Sequence, residues 1–170
     1  MSKIRGFKEI SPYDIDRAIE RIGKEWMLIT AKDGGGANAM TASWGSMGEL
    51  WSRPVATCFI RPQRYTFELV EDSSTVSLAF FGTQKRTELA MCGKKSGRDC
   101  DKIAEAGFSL SEIDGTPVIN EAEMLIIGKK LYADFIREDC FIDRSMLDFY
   151  KAQDFHKFYI FEIVKVLVKE

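Results

Sequence analysis

Two arginines and a threonine lie close together in the octapeptide Phe59–Thr66, FIRPQRYT. Apolar residues precede Arg61, Pro62 interrupts the strand-like pattern, and a helix is predicted to begin near Arg64. The first turn of a helix presents unpaired N–H groups and a partial positive charge, so the spacing predicts a phosphate-binding site. The alternative is that Arg61 and Arg64 form surface ion pairs while Thr66 caps the helix. The octapeptide alone favours this alternative slightly.

A second stretch that could bind an anion is Cys92–Asp99, CGKKSGRD. Glycines, lysines, a serine and an arginine lead into a predicted helix, and loops of this kind can direct several N–H groups toward an anion. The alternative is a solvated basic loop between two helices. The composition of the loop leaves both interpretations open.

The run Gly34–Trp44, GGGANAMTASW, carries no obvious nucleophile, metal ligand or general base. Alternate residues of a strand share a face, and one face of this run has small side chains and hydroxyl groups. A planar ligand with polar edges could approach the backbone closely there. The alternative, which the run alone favours, is a barrel interior with small residues that fit its taper. The predicted faces are Asn38, Met40, Ala42 and Trp44 on one side, and Ala39, Thr41, Ser43 and Gly45 on the other.

The remaining reactive side chains form no recognisable motif. Four cysteines occur without a CxxC pair, which argues against zinc ribbons and dithiol redox sites. Cys58 lies in an apolar run and is predicted to be a buried hydrophobe. The single histidine, His156, is accompanied by no GxSxG motif, and Phe80 and Phe81 are most simply core aromatics. One histidine and scattered cysteines are a poor ligand set, so we expect no metal site.

The composition is that of a globular protein. The chain has 170 residues, of which 45% are hydrophobic and 29% charged, with a formal net charge of −2. This length suits a single domain over residues 1–170 that buries its own core. The charge pattern predicts no nucleic-acid surface, no apolar run could span a bilayer, and the N-terminus lacks the apolar part of a signal peptide. We therefore expect a cytoplasmic location with no nucleic-acid or membrane partner.

Helix and strand patterns follow each other irregularly. A first helix is predicted over residues 11–23, with Ser11 as its N-cap and Gly23 as its end, and a β-hairpin with a glycine turn is predicted over residues 25–46. The other predicted strands lie at residues 54–61 and 74–82, once or twice within 116–136, and at 158–170. The other predicted helices lie within residues 61–72, at 83–93, and within 94–107 after a loop, the last with Asp99 as a possible cap and Gly107 as its end.

Strands therefore outnumber helices, without the regular alternation of a doubly wound parallel sheet. No GxGxxG follows a predicted strand, which argues against a Rossmann-type cofactor site. The pattern favours a mainly antiparallel barrel with helices packed outside it.

Several of these stretches together resemble the flavin reductase-like, flavoredoxin-like family. The resemblance extends from about Phe7 to the C-terminus and rests on NAMTASWGSMGELWSRPVATCFIRPQRYTFELV, SLAFFG, CGKKSGRDCDKIAEAG, KKLYADFI and DFHKFYIFEIVKVLV. It implies a mainly β fold with flanking helices, the FMN-binding split barrel, which is a six-stranded antiparallel barrel of Greek-key type. It also implies a homodimer with FMN near the subunit interface.

The resemblance also implies roles for individual residues around a bound flavin. Phe161 departs from the pattern, because family members often have glycine there, and a bulky residue predicts altered packing near His156. Carried over by position, Asn38, Met40, Thr41, Ser43 and Trp44 would line the ring and ribityl chain, Arg61, Arg64, Tyr65 and Thr66 would bind the phosphate end, Phe80, Lys94 and His156 would complete the cofactor site, and Gly97, Arg98 and Asp99 would lie near a nicotinamide substrate.

In this interpretation the flavin is the reactive group, so no side chain need be catalytic. The first hypothesis is an NAD(P)H-dependent flavin reductase that transfers hydride from NADH or NADPH to the isoalloxazine ring, and SGRD favours it slightly. The second is a flavoredoxin-type electron-transfer protein whose bound FMN is reduced by a protein donor. The third is an FMN-binding module without turnover. Fold similarity alone does not decide among them.

Overall fold

The computed structural model describes residues 6–170, and an antiparallel sheet of eight strands is its frame. Residues 1–5, which begin the N-terminal stretch considered for a signal peptide, lie outside the described residues. The strands are β1 Phe7–Ile10, β2 Met27–Asp33, β3 Gly36–Ala42, β4 Gly45–Leu50, β5 Arg53–Ile60, β6 Thr75–Phe80, β7 Leu110–Ile113, β8 Thr116–Ile119, β9 Met124–Phe135 and β10 Lys157–Lys169. The helices are α1 Ala18–Glu20, which continues as a π-helix Arg21–Glu25, α2 Tyr65–Asp72, α3 Arg86–Lys94 and α4 Lys102–Glu105, with 3-10 helices at Pro12–Asp14, Glu138–Cys140 and Arg144–Tyr150.

The strand order forces the sheet to curl. Neighbouring strands run β3-β2-β6-β9-β10-β5-β4, and β1 pairs with the far end of β10. The strands at the two ends of this order, β3 and β4, follow each other in the chain and are joined only by Ser43 and Trp44. The two edge strands of the sheet therefore come together at this connection, although no pairing joins β3 to β4 within residues 6–170. The predicted antiparallel barrel with flanking helices is confirmed.

The concave face of the sheet holds the larger core. Tyr159, Phe161 and Ile163 of β10 alternate into it, and the ring of Phe161 stacks on Tyr159 at 5.9 Å between centroids. A side chain at Gly128 on the paired strand β9 would lie 2.9 Å from the Phe161 Cβ, so the glycine there leaves room for the ring. Phe161 thus packs in the core beside Tyr159. Cys58 is fully buried as predicted, and burial raises the pKa of its thiol to about 12.

The convex face is covered by α3, α4 and the β7–β8 hairpin. Leu89, Ile103 and Val118 belong to this second cluster. In contrast, Leu69 and Val70 of α2 belong to the inner cluster, so α2 covers an opening of the barrel instead of its outer face. This position of α2 places its N-cap residue, Arg64, beside the candidate site.

The first helix and two caps differ from the prediction. Ser11 caps only the 3-10 turn, with its Oγ accepting from the Tyr13 N–H at 3.3 Å. Arg17 has a positive φ of 50° and starts a separate helix, which continues past Gly23 to the buried Glu25. Arg17 forms an ion pair with Glu25, a contact that only the tertiary structure provides. Helix α4 is capped by the Asp101 carboxylate, which accepts from the Ala104 N–H at 3.0 Å, and not by Asp99.

Strands β1, β4 and β7 were not predicted as separate strands, whereas residues 116–136 contain two strands, at the upper end of the prediction. Among the helices that the structure describes, none is both long and apolar enough to cross a membrane.

Candidate functional site

A cavity of about 240 Å³ opens where β3 passes into β4. We call it the arginine cavity because two arginines from the β5–α2 connection line it. It brings together seven of the residues that the sequence suggested for a cofactor. Its lining consists of Met40, Thr41, Ala42, Ser43, Trp44, Phe59, Arg61, Arg64 and His156.

Strand β3 presents its residues to two different surroundings, as the predicted alternation requires. Met40 and Ala42 belong to the inner core. Ala39 belongs to the outer cluster, and the Thr41 hydroxyl donates to the Leu89 carbonyl of α3 at 2.5 Å. The hydroxyl proton of Thr41 is therefore already used, so its oxygen and the backbone are what a ligand would meet.

Arg64 combines burial with the absence of an acidic partner. It is the N-cap residue of α2, with extended backbone, and its half-buried guanidinium donates to the Cys92 carbonyl at 3.4 Å. Across residues 6–170, no carboxylate forms an ion pair with Arg64. Burial lowers its pKa from the ordinary value, but an arginine remains protonated at neutral pH. The cavity thus contains a cation whose charge is not neutralised by the protein.

Arg61 is in the opposite situation. Its guanidinium forms an ion pair with Asp154 and donates to the Phe149 carbonyl at 3.1 Å. It also lies over the ring of Tyr150, 5.5 Å from the centroid. For Arg61, the ion-pair interpretation that the octapeptide allowed is the one that the structure contains.

His156 closes the cavity opposite β3. It is 8% exposed, its Nδ1 lies 3.0 Å from the Tyr150 hydroxyl, and its ring lies 4.9 Å from that of Trp44. Burial, followed by the positive charge of Arg61, lowers the pKa of His156 to about 4. The imidazole is therefore neutral at pH 7 and can exchange a hydrogen bond but carries no charge.

A second cavity of about 400 Å³ lies along the other half of β3. We call it the hairpin cavity because Gly35 and Gly36 of the β2–β3 turn line it, together with Tyr65 and Gly97. Asn38 also lines it, and its amide donates to the Thr66 hydroxyl at 2.8 Å. A side chain at Gly97 would overlap the Asn38 carboxamide, so a glycine is required for this close approach.

The predicted site is thus divided between two cavities, and several of its residues line neither. Thr66 is buried beneath Asn38, and Phe80 is fully buried in the inner core. Lys94 and Asp99 are exposed. Arg98 is exposed, forms an ion pair with Glu68, and lies over the Tyr65 ring at 5.1 Å. The predicted nicotinamide residues therefore border the hairpin cavity through Gly97 alone.

Four residues around the site were not anticipated from the sequence. Phe59 lines the arginine cavity, and Tyr150 and Asp154 hold residues that do. Lys102 is 2% exposed, and its ammonium group donates to the carbonyls of Cys92 and Lys95, each at 3.2 Å. Burial, followed by the charge of Arg64, lowers the pKa of Lys102 to about 8. No local motif marks these positions, because their partners lie in other elements.

The fold is shared with proteins of known structure. An FMN-binding domain of a flavin reductases-like enzyme from Shewanella baltica has a TM-score of 0.68 and 17% identity, over 96% of this chain and 77% of that one. Flavoredoxin from Methanosarcina acetivorans has a TM-score of 0.67 and 20% identity, over 86% and 69%. A split-barrel domain from Shewanella frigidimarina has a TM-score of 0.66 and 18% identity, over 94% and 77%. Identities this low show the fold alone, which is the split barrel.

Sequence comparisons extend this result. An uncharacterized protein of Aeropyrum pernix is 29% identical over 103 residues, and the match covers 59% of this chain but only 39% of that protein. The model of one family, described as the flavin reductase like domain, matches residues 19–170. The chain belongs to the flavin reductase like domain family.

Proposed function

We propose that the chain binds FMN in the arginine cavity and acts as an NAD(P)H-dependent flavin reductase. The observation that carries the proposal is Arg64, a half-buried cation at the start of α2 that lacks a carboxylate partner among the described residues. A phosphate dianion is the partner that such a group and a helix N-terminus favour. The names of two proteins with the same fold, an FMN-binding domain and a flavoredoxin, support the choice of ligand.

The residues of the cavity suit the parts of FMN. Arg64, which precedes α2, would bind the phosphate. The backbone from Thr41 to Ser43, whose side chains are small, would meet the polar edge of the ring or the ribityl hydroxyls, and Trp44 would contact the flat face. A volume of about 240 Å³ is below the roughly 300–1,000 Å³ of typical ligand pockets. In this proposal, the part of FMN that extends beyond the cavity would lie against a second copy of the chain.

A bound flavin supplies the electron-accepting and electron-donating chemistry. The chain's own residues bind and orient it. Neutral His156 can offer a hydrogen bond at the rim without adding charge, and no lining residue of the arginine cavity is acidic. In this proposal no side chain is catalytic.

The test compares FMN with riboflavin, which lacks the phosphate. One charged hydrogen bond contributes about 1.5–3 kcal/mol, so FMN should bind at least about tenfold more tightly than riboflavin. Arg64→Ala should remove most of that preference and leave riboflavin affinity nearly unchanged. The matched control is Arg53→Ala, which removes an arginine at the start of β5 and breaks its ion pair with Glu162 of β10. An unchanged preference in Arg64→Ala would place the phosphate elsewhere, with the loop at Lys94, Ser96 and Arg98 as the next candidate.

Turnover is tested by anaerobic mixing of the FMN-loaded protein with NADH and then NADPH while the flavin absorbance is followed. Rapid bleaching supports the reductase. Tightly held FMN that neither nucleotide reduces would instead support the flavoredoxin-type carrier or a non-catalytic FMN-binding module. A cytoplasmic location stays a prediction.

We also propose a homodimer. A row of aromatic side chains crosses the surface, with Trp51 and Tyr132 at 6.5 Å, Tyr132 and Phe158 at 6.0 Å, and Phe158 and Phe59 at 6.2 Å between ring centroids. Trp51 is 56% exposed and Tyr132 44%. Exposed apolar patches of this kind mark interaction surfaces, and isologous dimers are the commonest oligomers.

The β4–β5 turn provides a clean test of the dimer. Trp51 and Ser52 both have positive φ, 53° and 56°, which Asn-Gly adopts far more readily. Changing Trp51→Asn together with Ser52→Gly should remove the aromatic group without destabilising the fold. Sedimentation should show the wild type at twice 19.3 kDa and the variant shifted toward monomer. A monomeric wild type at micromolar concentration would refute the homodimer.

A further inference from the structure

Among the described residues, the side chain of Arg61 contacts one short segment, Phe149–Asp154. Its guanidinium pairs with Asp154, donates to the Phe149 carbonyl and lies over the Tyr150 ring. Gln63, two residues further along the same connection, donates to the same Asp154 oxygen at 2.9 Å. The connection between β5 and α2 thus holds the segment Phe149–Asp154 at several points.

That segment leads directly into His156. Tyr150 bonds to the His156 Nδ1 at 3.0 Å and stacks on Phe155 with centroids 4.8 Å apart. Phe149 contacts Trp44 edge to face at 5.5 Å. The wall of the arginine cavity that contains His156 therefore depends on contacts that Arg61 anchors.

The two arginines differ in what an incoming anion would meet. Arg61 is already paired with a carboxylate, so an anion would have to displace Asp154 or share the cation with it. Arg64 donates to the Cys92 carbonyl and pairs with no carboxylate of the described residues. A phosphate would therefore gain more from Arg64 than from Arg61.

We propose that Arg61 is a positioning residue, which fixes Phe149–His156 against the arginine cavity through Asp154 and does not bind the flavin phosphate. The second half of this statement rests on the proposed function, whereas the first concerns the protein without ligand. The sequence suggested equal roles for Arg61 and Arg64, and the geometry assigns them different ones.

The pKa of His156 reports on the position of the wall that contains it. Proton NMR can measure this pKa because His156 is the single histidine of the chain, so its signals do not overlap with those of other histidines. The charged groups that act on His156 are Arg61, which lowers its pKa, and Asp154, which raises it, while burial lowers it most. The Tyr150 hydroxyl and the Trp44 ring also face it.

The variant Asp154→Ala distinguishes a loss of negative charge near His156 from a release of the segment Phe149–His156. Loss of the negative charge alone would move the pKa of His156 below about 4, whereas release of the segment into water should raise it toward the ordinary value of 6.5. We expect the rise. Glu162→Gln, which breaks the Arg53–Glu162 pair in β5 and β10, should leave the value unchanged. A pKa of His156 at or below about 4 in folded Asp154→Ala would overturn the proposal.

The affinities for FMN and riboflavin provide the second measurement. Arg61→Ala should weaken FMN and riboflavin by the same factor, because both lose the same wall. A loss for FMN alone would make Arg61 a phosphate ligand and overturn the proposal. If Arg61→Ala does not fold, Arg61→Gln, which keeps a long polar side chain but loses the ion pair with Asp154, takes its place. If the wild type binds neither flavin, the proposed function fails, and the histidine measurement still decides whether Arg61 positions the segment.

Discussion

The two walls of the arginine cavity are held in place by different means. The strand wall, Met40–Trp44, continues β3, and the register with β2 pairs each residue up to Ala42 with a partner. The segment wall, Phe149–His156, joins the end of a 3-10 helix to an irregular stretch before β10. Individual side chains hold it: Arg61 on Asp154, Tyr150 on His156, and Phe149 on Trp44.

This difference determines what each wall can tolerate. The strand wall shares side chains with the inner core, so its shape is coupled to the stability of the whole barrel. The segment wall depends on a few contacts, so it can lose its position while the barrel stays folded. The sequence of the strand wall is therefore constrained by packing, and that of the segment wall by specific partners.

The largest expected difference between the walls is in global stability. Met40 is 5% exposed and belongs to the inner core, so Met40→Ala should lower the free energy of unfolding by about 2–5 kcal/mol. Phe149 is 55% exposed, and Phe149→Ala should cost no more than about 2 kcal/mol, which is the usual range of a surface change plus one aromatic contact. Urea unfolding of the two variants measures both values. Equal costs would remove the distinction between the walls.

The next expected effect is a pH dependence that only the segment wall produces. Burial lowers the pKa of His156 to about 4 in the folded state, below the 6.5 of an exposed histidine, so folding favours the neutral form. The contribution to stability is complete above about pH 6.5 and declines as the pH falls toward 4, because the unfolded chain then binds the proton first. Unfolding measured between pH 7 and 4 should show this decline, and His156→Gln should make it shallower.

Carboxylates also titrate near the lower end of that range, so the informative quantity is the difference between wild type and His156→Gln. Identical slopes from pH 6.5 to 5, where few carboxylates change charge, would mean that His156 is as solvated in the fold as in the unfolded chain.

The same contrast explains which parts were predictable. Strands β5, β6 and β10 have apolar and β-branched patterns that local sequence reveals, and the strand wall lies in one continuous run. The segment wall could not be found this way, because Arg61 and Asp154 are 93 residues apart and nothing local pairs them. Arg64 and Arg61 look alike in the octapeptide. Only the tertiary structure shows that one is neutralised and the other is not.

The differences between the predicted and the observed helices and strands have similar causes. The pattern of residues 11–23 suits a helix, but Arg17 adopts a positive φ in a structure where it pairs with Glu25, and tertiary contacts override propensity. Strand β4 contains two glycines and an exposed face, which leaves little hydrophobic alternation to detect. The close approach of Gly97 to Asn38 likewise joins two elements that are far apart in the sequence.

The smallest expected effect lies where the two walls meet. Trp44 ends the strand wall, is 39% exposed, and contacts both Phe149 and His156 of the segment wall. If this contact couples the walls, a double-mutant cycle of Trp44→Ala and Phe149→Ala should give a coupling energy of about 0.5–1.5 kcal/mol, the range of an edge-to-face aromatic pair. Because Trp44 is partly exposed, Trp44→Ala alone should cost less than the roughly 3–5 kcal/mol of a fully buried aromatic.

The same two variants also test whether Trp44 contacts the flavin. Trp44→Ala should weaken FMN and alter the flavin spectrum if the indole contacts the ring, whereas Phe149→Ala should do so only by releasing the segment. A coupling energy near zero would mean that the contact between Trp44 and Phe149 does not couple the two walls. Unchanged FMN affinity would mean that Trp44 does not belong to the flavin site.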